Sequence, residues 1–137
     1  MRIKDKIKEI EEYSAELFSA IPANLELESY KKDFRIKAIC ERYFEKIIEA
    51  IVDLAFLMIK DRKLKIPEED TEAFDILANE NIISSELAQK LKEAKGMRNI
   101  IAHEYGKIDD EIVFNSMTEE LERDIKEFIK SIRKFLK

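Results

Sequence analysis

Apolar residues recur at three- and four-residue steps through most of this chain, the spacing of helices with one buried face. Ile3, Ile7, Ile10, Leu17 and Ile21 form the first stripe, predicting a helix from about residue 2 to 20. Pro22 and Asn24 break it. A longer helix is expected from near Lys32 to near Lys60, on the stripe Ile36, Ile39, Tyr43, Ile47, Ile51, Leu54 and Met58. Beyond the polar stretch to Pro67, a short third helix should run from Thr71 to about Asn79, with Asp70 as its N-cap. Ser84 is placed to cap a fourth, whose stripe is Leu87, Leu91, Ala94 and Ile101, and Gly106 suits the left-handed residue that ends helices. The last helix starts at Asp109 or Asp110 and shows Val113, Met117, Leu121, Ile125, Phe128, Ile132 and Phe135. Ser116 and Glu119 have capping-box spacing, yet the stripe continues through them. One helix with an irregularity at that point is the expectation. The pattern predicts an all-α fold: an antiparallel up-and-down bundle of four long helices and one short helix, in a single domain over 1–137.

One stretch is more apolar than a one-faced helix needs. From Ala50 to Ile59, nine of ten residues are apolar, and Asp53 is the lone charge. Such a helix is covered on more than one side. Either a second copy of the chain covers it, or it runs through the middle of its own bundle. Glu49 and Asp53 lie one turn apart and share a face. A buried aspartate is costly unless paired, so Asp53 either meets a donor such as Arg98 or faces a solvent-filled gap.

Composition agrees with helices and narrows the chemistry. Two glycines and two prolines leave few places for hairpins, and a 45% hydrophobic content supports a packed core. The net charge of −5 argues against a sequence-independent nucleic-acid coat protein, which needs a positive field. Local exceptions exist: Lys90 to His103 holds four cations against one anion, and Lys31 to Lys46 holds six against three. Both read equally as solvated helix faces. A single cysteine, Cys40, excludes an internal disulfide, and with one histidine it leaves no ordinary zinc site. No metal or cofactor is implied. The charged N-terminus lacks the apolar core of a signal peptide and no apolar run has membrane-spanning length, so a cytoplasmic address without a membrane role is expected.

The one histidine, His103, sits in the run Arg98-Asn99-Ile100-Ile101-Ala102-His103-Glu104-Tyr105-Gly106. On a continuing helix, with Arg98 at zero, Tyr105 falls at about 20° to one side and Asn99 and His103 at about 100° and 140°. Ile100 and Ile101 fall on the opposite half, toward a core. A bland reading makes His103 a helix cap and Arg98 a surface ion-pair partner. A chemical reading makes the arc a phosphate site. Metal-free RNA cleavage needs a base for the 2′-hydroxyl, a cation for charge building on phosphorus, and an acid for the leaving oxygen. His103 can act as base or acid, Arg98 as the bidentate clamp, and Asn99 as an orienting amide. One imidazole per chain cannot fill both proton-transfer roles, whereas a symmetric dimer supplies two.

These residues carry a resemblance. Arg98-Asn99-x-x-x-His103-x-Tyr105 resembles the R-x-x-x-x-H-x-Y motif of HepT toxins, a branch of the HEPN superfamily. The likeness extends to Glu49–Ala55, to Ala73–Leu77, to Ile82-Ile83 with Leu87–Leu91, and to Ile108-Asp109. It implies an all-α homodimer whose two motifs line a shared cleft and cut RNA without metal, leaving a 2′,3′-cyclic phosphate. It further implies a toxin paired with a minimal nucleotidyltransferase antitoxin, MntA-like, that transfers AMP from ATP to the motif tyrosine. By position, Arg98 and His103 become the catalytic pair, Asn99 their support and Tyr105 the modified residue. Independently of the resemblance, Glu49 and Asp53, on one helix face, are candidate supporting carboxylates. The alternative is a non-catalytic helical partner of such a nucleotidyltransferase.

Overall fold

A single long helix organises the molecule, and four of the other helices pack directly on it. The computed structural model describes residues 2–103 and 105–136, with Tyr105 described by its backbone alone. Among them every regular element is helical: α1 (Arg2–Ala20), α2 (Leu27–Lys32), α3 (Phe34–Asp61), α4 (Asp70–Asn79), α5 (Ser85–His103), a 3₁₀ turn (Tyr105–Lys107), α6 (Asp110–Asn115), a π-helical turn (Ser116–Glu120) and α7 (Leu121–Arg133). The expected all-α bundle is present. Helices α1, α2, α4 and α5 all pack on α3, while α7 packs on α5.

The apolar stretch of α3 is buried by its own chain. Ala50, Ile51, Val52, Leu54, Ala55, Met58 and Ile59 all lie in the core, and Phe56 and Leu57 are half-buried. A second copy is therefore not needed to cover it. The bulkiest fully buried rings are Tyr30, Phe44, Phe74 and Phe128, the last two edge-to-face at 6.4 Å. The large apolar side chains that do face solvent lie elsewhere: Phe34, Ile39, Ile66, Ile100 and Ile112.

Local chemistry sets the element ends, with several departures from the pattern-based expectation. The second long helix begins at Phe34, because the Asp33 carboxylate accepts from the Arg35 and Ile36 amides at 3.0 and 3.2 Å. Before it, Leu27–Lys32 forms a short extra helix that has too few residues to show a period. Ser84 caps α5 as expected, its hydroxyl accepting from the Leu87 amide at 3.0 Å, and Asp109 caps α6. Asp70 does not cap α4. It is the first helical residue, and its carboxylate is drawn instead to the ammonium of Lys95 at 3.2 Å. Gly106 does not take a left-handed conformation, since the chain leaves α5 through a 3₁₀ turn. Among the described residues that conformation belongs to Lys63 and Asn81, at φ 56° and 60°. Each sits just past a helix end: Leu64 N–H bonds to Ile59 O after α3, and Ile82 N–H to Leu77 O after α4. This is the Schellman pattern.

The irregularity at Ser116 is a π-helical turn, without a side-chain cap. Its cause lies in the stripe. Val113, Met117, Leu121 and Ile125 are spaced by four, and each such step overshoots an ideal helical turn by about 40°. A wider turn absorbs the drift, and all four side chains stay in the core. Just beyond it, Asp124 is the one buried charged residue among those described. Burial pushes its carboxyl above the usual range, opposed by the charges of Lys90 and Arg123.

Candidate active site

Helix α5 carries the site because its two faces differ. Leu87, Ala88, Leu91 and Ile101 are buried, fixing one side against α3, α4 and α7. Ile100, expected to share that role, is instead an exposed side chain. Lys95 and Arg98 continue along that packed side and are themselves partly buried, whereas Asn99 and His103 turn round from it toward solvent. Asn99 and His103 are exposed, and His103 is the last residue of the helix. Tyr105 follows in the 3₁₀ turn, so it does not continue the α-helical arc; its side chain lies outside the described residues.

The polar groups are tied into one network. The Arg98 Nη2 donates to Glu49 Oε2 at 3.1 Å, joining α5 to α3, and its Nη1 reaches Asn99 Oδ1 at 3.5 Å. Lys95 Nζ donates to the same Asn99 oxygen at 3.2 Å and pairs with Asp70 Oδ2 at 3.2 Å. Both cations carry only donors, so the Asn99 amide must turn its oxygen toward them and its NH₂ group away. Asp53 does not meet Arg98. More than half its side chain is exposed, and it pairs with Lys6 of α1 at 3.5 Å. A cavity of about 380 Å³ opens between these residues, bordered by Glu49, Val52, Asp53, Phe56, Lys95 and Arg98.

The site's charges are nearly balanced: Glu49, Asp53 and Asp70 face Arg98, Lys6 and Lys95. The positive cluster read in the sequence between Lys90 and His103 is therefore largely answered by carboxylates, Lys92 also pairing with Asp75 at 3.1 Å. One donor is left over. Arg98 Nε is buried and has no hydrogen-bond partner among the described residues. An anion reaching the guanidinium would satisfy that donor, a gain that helps it compete with Glu49. Lys95 and Asp70 are the members that sequence reasoning missed. The available signal was the four-residue step from Lys95 to Asn99, which places them on one face.

Residues 3–132 match the model of a family described as HepT-like ribonuclease. The chain belongs to that family. It is 31% identical over 104 residues to the mRNA nuclease HepT of Shewanella oneidensis, covering 76% of this chain and 77% of that one. It is 30% identical over 95 residues to the tRNA nuclease HepT of Aphanizomenon flos-aquae, covering 69% of this chain and 65% of that one. Among solved structures, it superposes with a TM-score of 0.86 on a tri-AMPylated Shewanella oneidensis HEPN toxin in complex with an MNT antitoxin, at 27% identity and 96% coverage of both chains. The HepT-like membership expected from the motif is thus found over nearly the whole chain. Among the described residues, no helix is long and apolar enough to cross a membrane.

Proposed function

We propose that this HepT-like chain is the toxin of a toxin–antitoxin pair, a metal-independent endoribonuclease acting as a homodimer. The observation that carries this reading is the under-satisfied Arg98 guanidinium, anchored by Glu49 and five residues before the exposed His103 on the same helix. Relatives named as mRNA and tRNA nucleases support RNA as the substrate class, and their differing targets leave the choice of RNA to residues outside the motif.

The chemistry follows from the groups available. A scissile phosphate displaces part of the Glu49 contact and takes the guanidinium of Arg98, while the outward NH₂ of Asn99 donates to a second phosphate oxygen. His103 removes the proton of the 2′-hydroxyl, whose oxygen attacks phosphorus. His103 of the partner subunit donates a proton to the departing 5′-oxygen. The products are a 2′,3′-cyclic phosphate and a free 5′-hydroxyl, with one proton taken up and one released.

Regulation is proposed at Tyr105. A nucleotidyltransferase antitoxin would direct the phenol oxygen onto the α-phosphorus of ATP, releasing pyrophosphate and leaving AMP on the ring. An anionic nucleotide beside the motif would compete with RNA phosphate for Arg98 and repel the incoming strand. The structural relative with three AMP groups and a bound MNT antitoxin supports this reading. Expression without an antitoxin should arrest growth, and Arg98→Ala or His103→Ala should each relieve the arrest. If both variants stay as toxic as wild type, the catalytic reading is wrong and the binding-partner alternative gains. For the tyrosine, mass spectrometry after incubation with antitoxin and ATP should find AMP on wild type. Wild-type levels of AMP on Tyr105→Phe would refute the assignment.

A further inference from the structure

The cavity beside Arg98 does not end at the catalytic motif. Phe56 borders it and also borders a second cavity of about 420 Å³, formed where α3 ends. The second cavity is walled by Leu57, Leu64 and Ile66, with Lys60 and Lys63 among its lining residues. Glu49, Asp53, Phe56 and Lys60 are spaced by four, three and four, so they lie along one face of α3. Eleven residues at about 1.5 Å each span roughly 16 Å. A continuous surface thus runs from the phosphate-binding arginine, past an aromatic ring, to two lysines.

Three features of this end of α3 point to a nucleic-acid strand. First, Ile66 is 79% exposed, an apolar side chain beside a half-open pocket. Second, the cations are unanswered. Lys6, Lys95 and Arg98 each face a carboxylate, whereas neither Lys60 nor Lys63 has a charged or hydrogen-bonding side-chain partner among the described residues. Third, Lys63 occupies the left-handed position of the helix end, at φ 56°, where glycine is favoured and a residue with a Cβ is strained. The equivalent place after α4 is held by Asn81, a residue that tolerates this conformation. The bonds from Lys63 N–H to Lys60 O and from Leu64 N–H to Ile59 O close the helix end, and both lysines border the cavity there.

We propose that this second cavity is an RNA subsite, in which one unstacked base packs against Phe56 and Ile66 while flanking phosphates bind Lys60 and Lys63. The proposal rests on the ribonuclease reading above and extends it to the path of the strand. A cavity of about 420 Å³ suits a single base better than a protein helix. Base-on-aromatic packing with phosphates on nearby cations is how single strands are held without strict sequence preference. The subsite would fix which base lies a short distance from the cut.

Binding can be read without cleavage, using dimer carrying His103→Ala and a fluorescein-labelled single-stranded oligoribonucleotide in an anisotropy titration. Lys60→Glu with Lys63→Glu should weaken binding roughly tenfold or more and reduce the slope of log affinity against log salt by about 1.4, the value for two phosphate contacts on a single strand. Lys63→Gly separates fold from function: it should raise the urea midpoint while lowering the salt slope by about 0.7. The matched reversal Lys126→Glu with Lys130→Glu, on α7, should leave affinity unchanged. Equal losses from both pairs would mean unspecific attraction and overturn the subsite. So would wild-type RNA affinity in the Lys60/Lys63 variants, including the case where they lose binding to the antitoxin instead, which would make this face a protein-docking surface. If the parent protein itself binds no RNA, and wild type cuts none, the ribonuclease reading falls and the subsite with it.

Discussion

Lys95 and Arg98 converge on one acceptor, the amide oxygen of Asn99. That convergence turns the Asn99 NH₂ group away from both cations, and on the proposed mechanism Lys95 acts as a positioning residue through Asn99. Lys95→Met and Asn99→Ala should each lower kcat on RNA by roughly tenfold, and the double variant should be no worse than Asn99→Ala alone. Additive losses would show that Lys95 meets substrate directly. Cys40 offers a contrasting prediction. Burial, aided by the charge of Glu41, pushes its thiol up to about 11, so at pH 8 it is protonated and shielded. A disulfide reagent should leave it unmodified in the native protein and label it fully in denaturant. Rapid native labelling would contradict the packing around α3.

At the scale of elements, periodicity revealed more than end chemistry did. The stripes located the four long helical segments because burial on one face imposes the spacing directly. Helix ends were less legible, since they depend on competition. Asp70 has the right type for a cap, but a lysine one helix away draws its carboxylate off. Gly106 has the right type for a left-handed stop, yet the chain uses Lys63 and Asn81 in that role. At the site, the sequence alone put Arg98, Asn99 and His103 close together on one helix, whereas the Glu49 tether and the Lys95–Asp70 pair were not legible, because they join residues distant in sequence. The turn at Ser116 was visible as a conflict between capping-box spacing and an unbroken stripe. Its neighbour Asp124 yields a pH prediction. A carboxyl raised by burial binds its proton more tightly folded than unfolded, so stability falls as pH rises from the unfolded value through the folded one. Asp124→Asn should therefore raise the melting temperature at neutral pH, with the gain vanishing in acid below the unfolded value. Destabilisation at pH 7 would mean that Lys90 and Arg123 outweigh burial.

For the whole molecule, the decisive property is that one chain supplies one imidazole. If both proton transfers use His103, each working cleft needs two intact subunits. When wild-type and His103→Ala subunits are mixed and allowed to exchange, cleavage should fall as the square of the wild-type fraction. A linear fall would place a complete site in each chain. The acidic average charge is compatible with this proposal, because Lys6, Lys92, Lys95 and Arg98 beside the motif each already face a carboxylate. The central claim remains that Arg98 and His103 cut RNA. Its most direct test is to incubate a total RNA pool with purified protein in the presence of a chelator and to map the new ends. Wild type should generate discrete cuts ending in 2′,3′-cyclic phosphate, and His103→Ala should generate none. An intact pool with wild type, or the same cuts with His103→Ala, would contradict it.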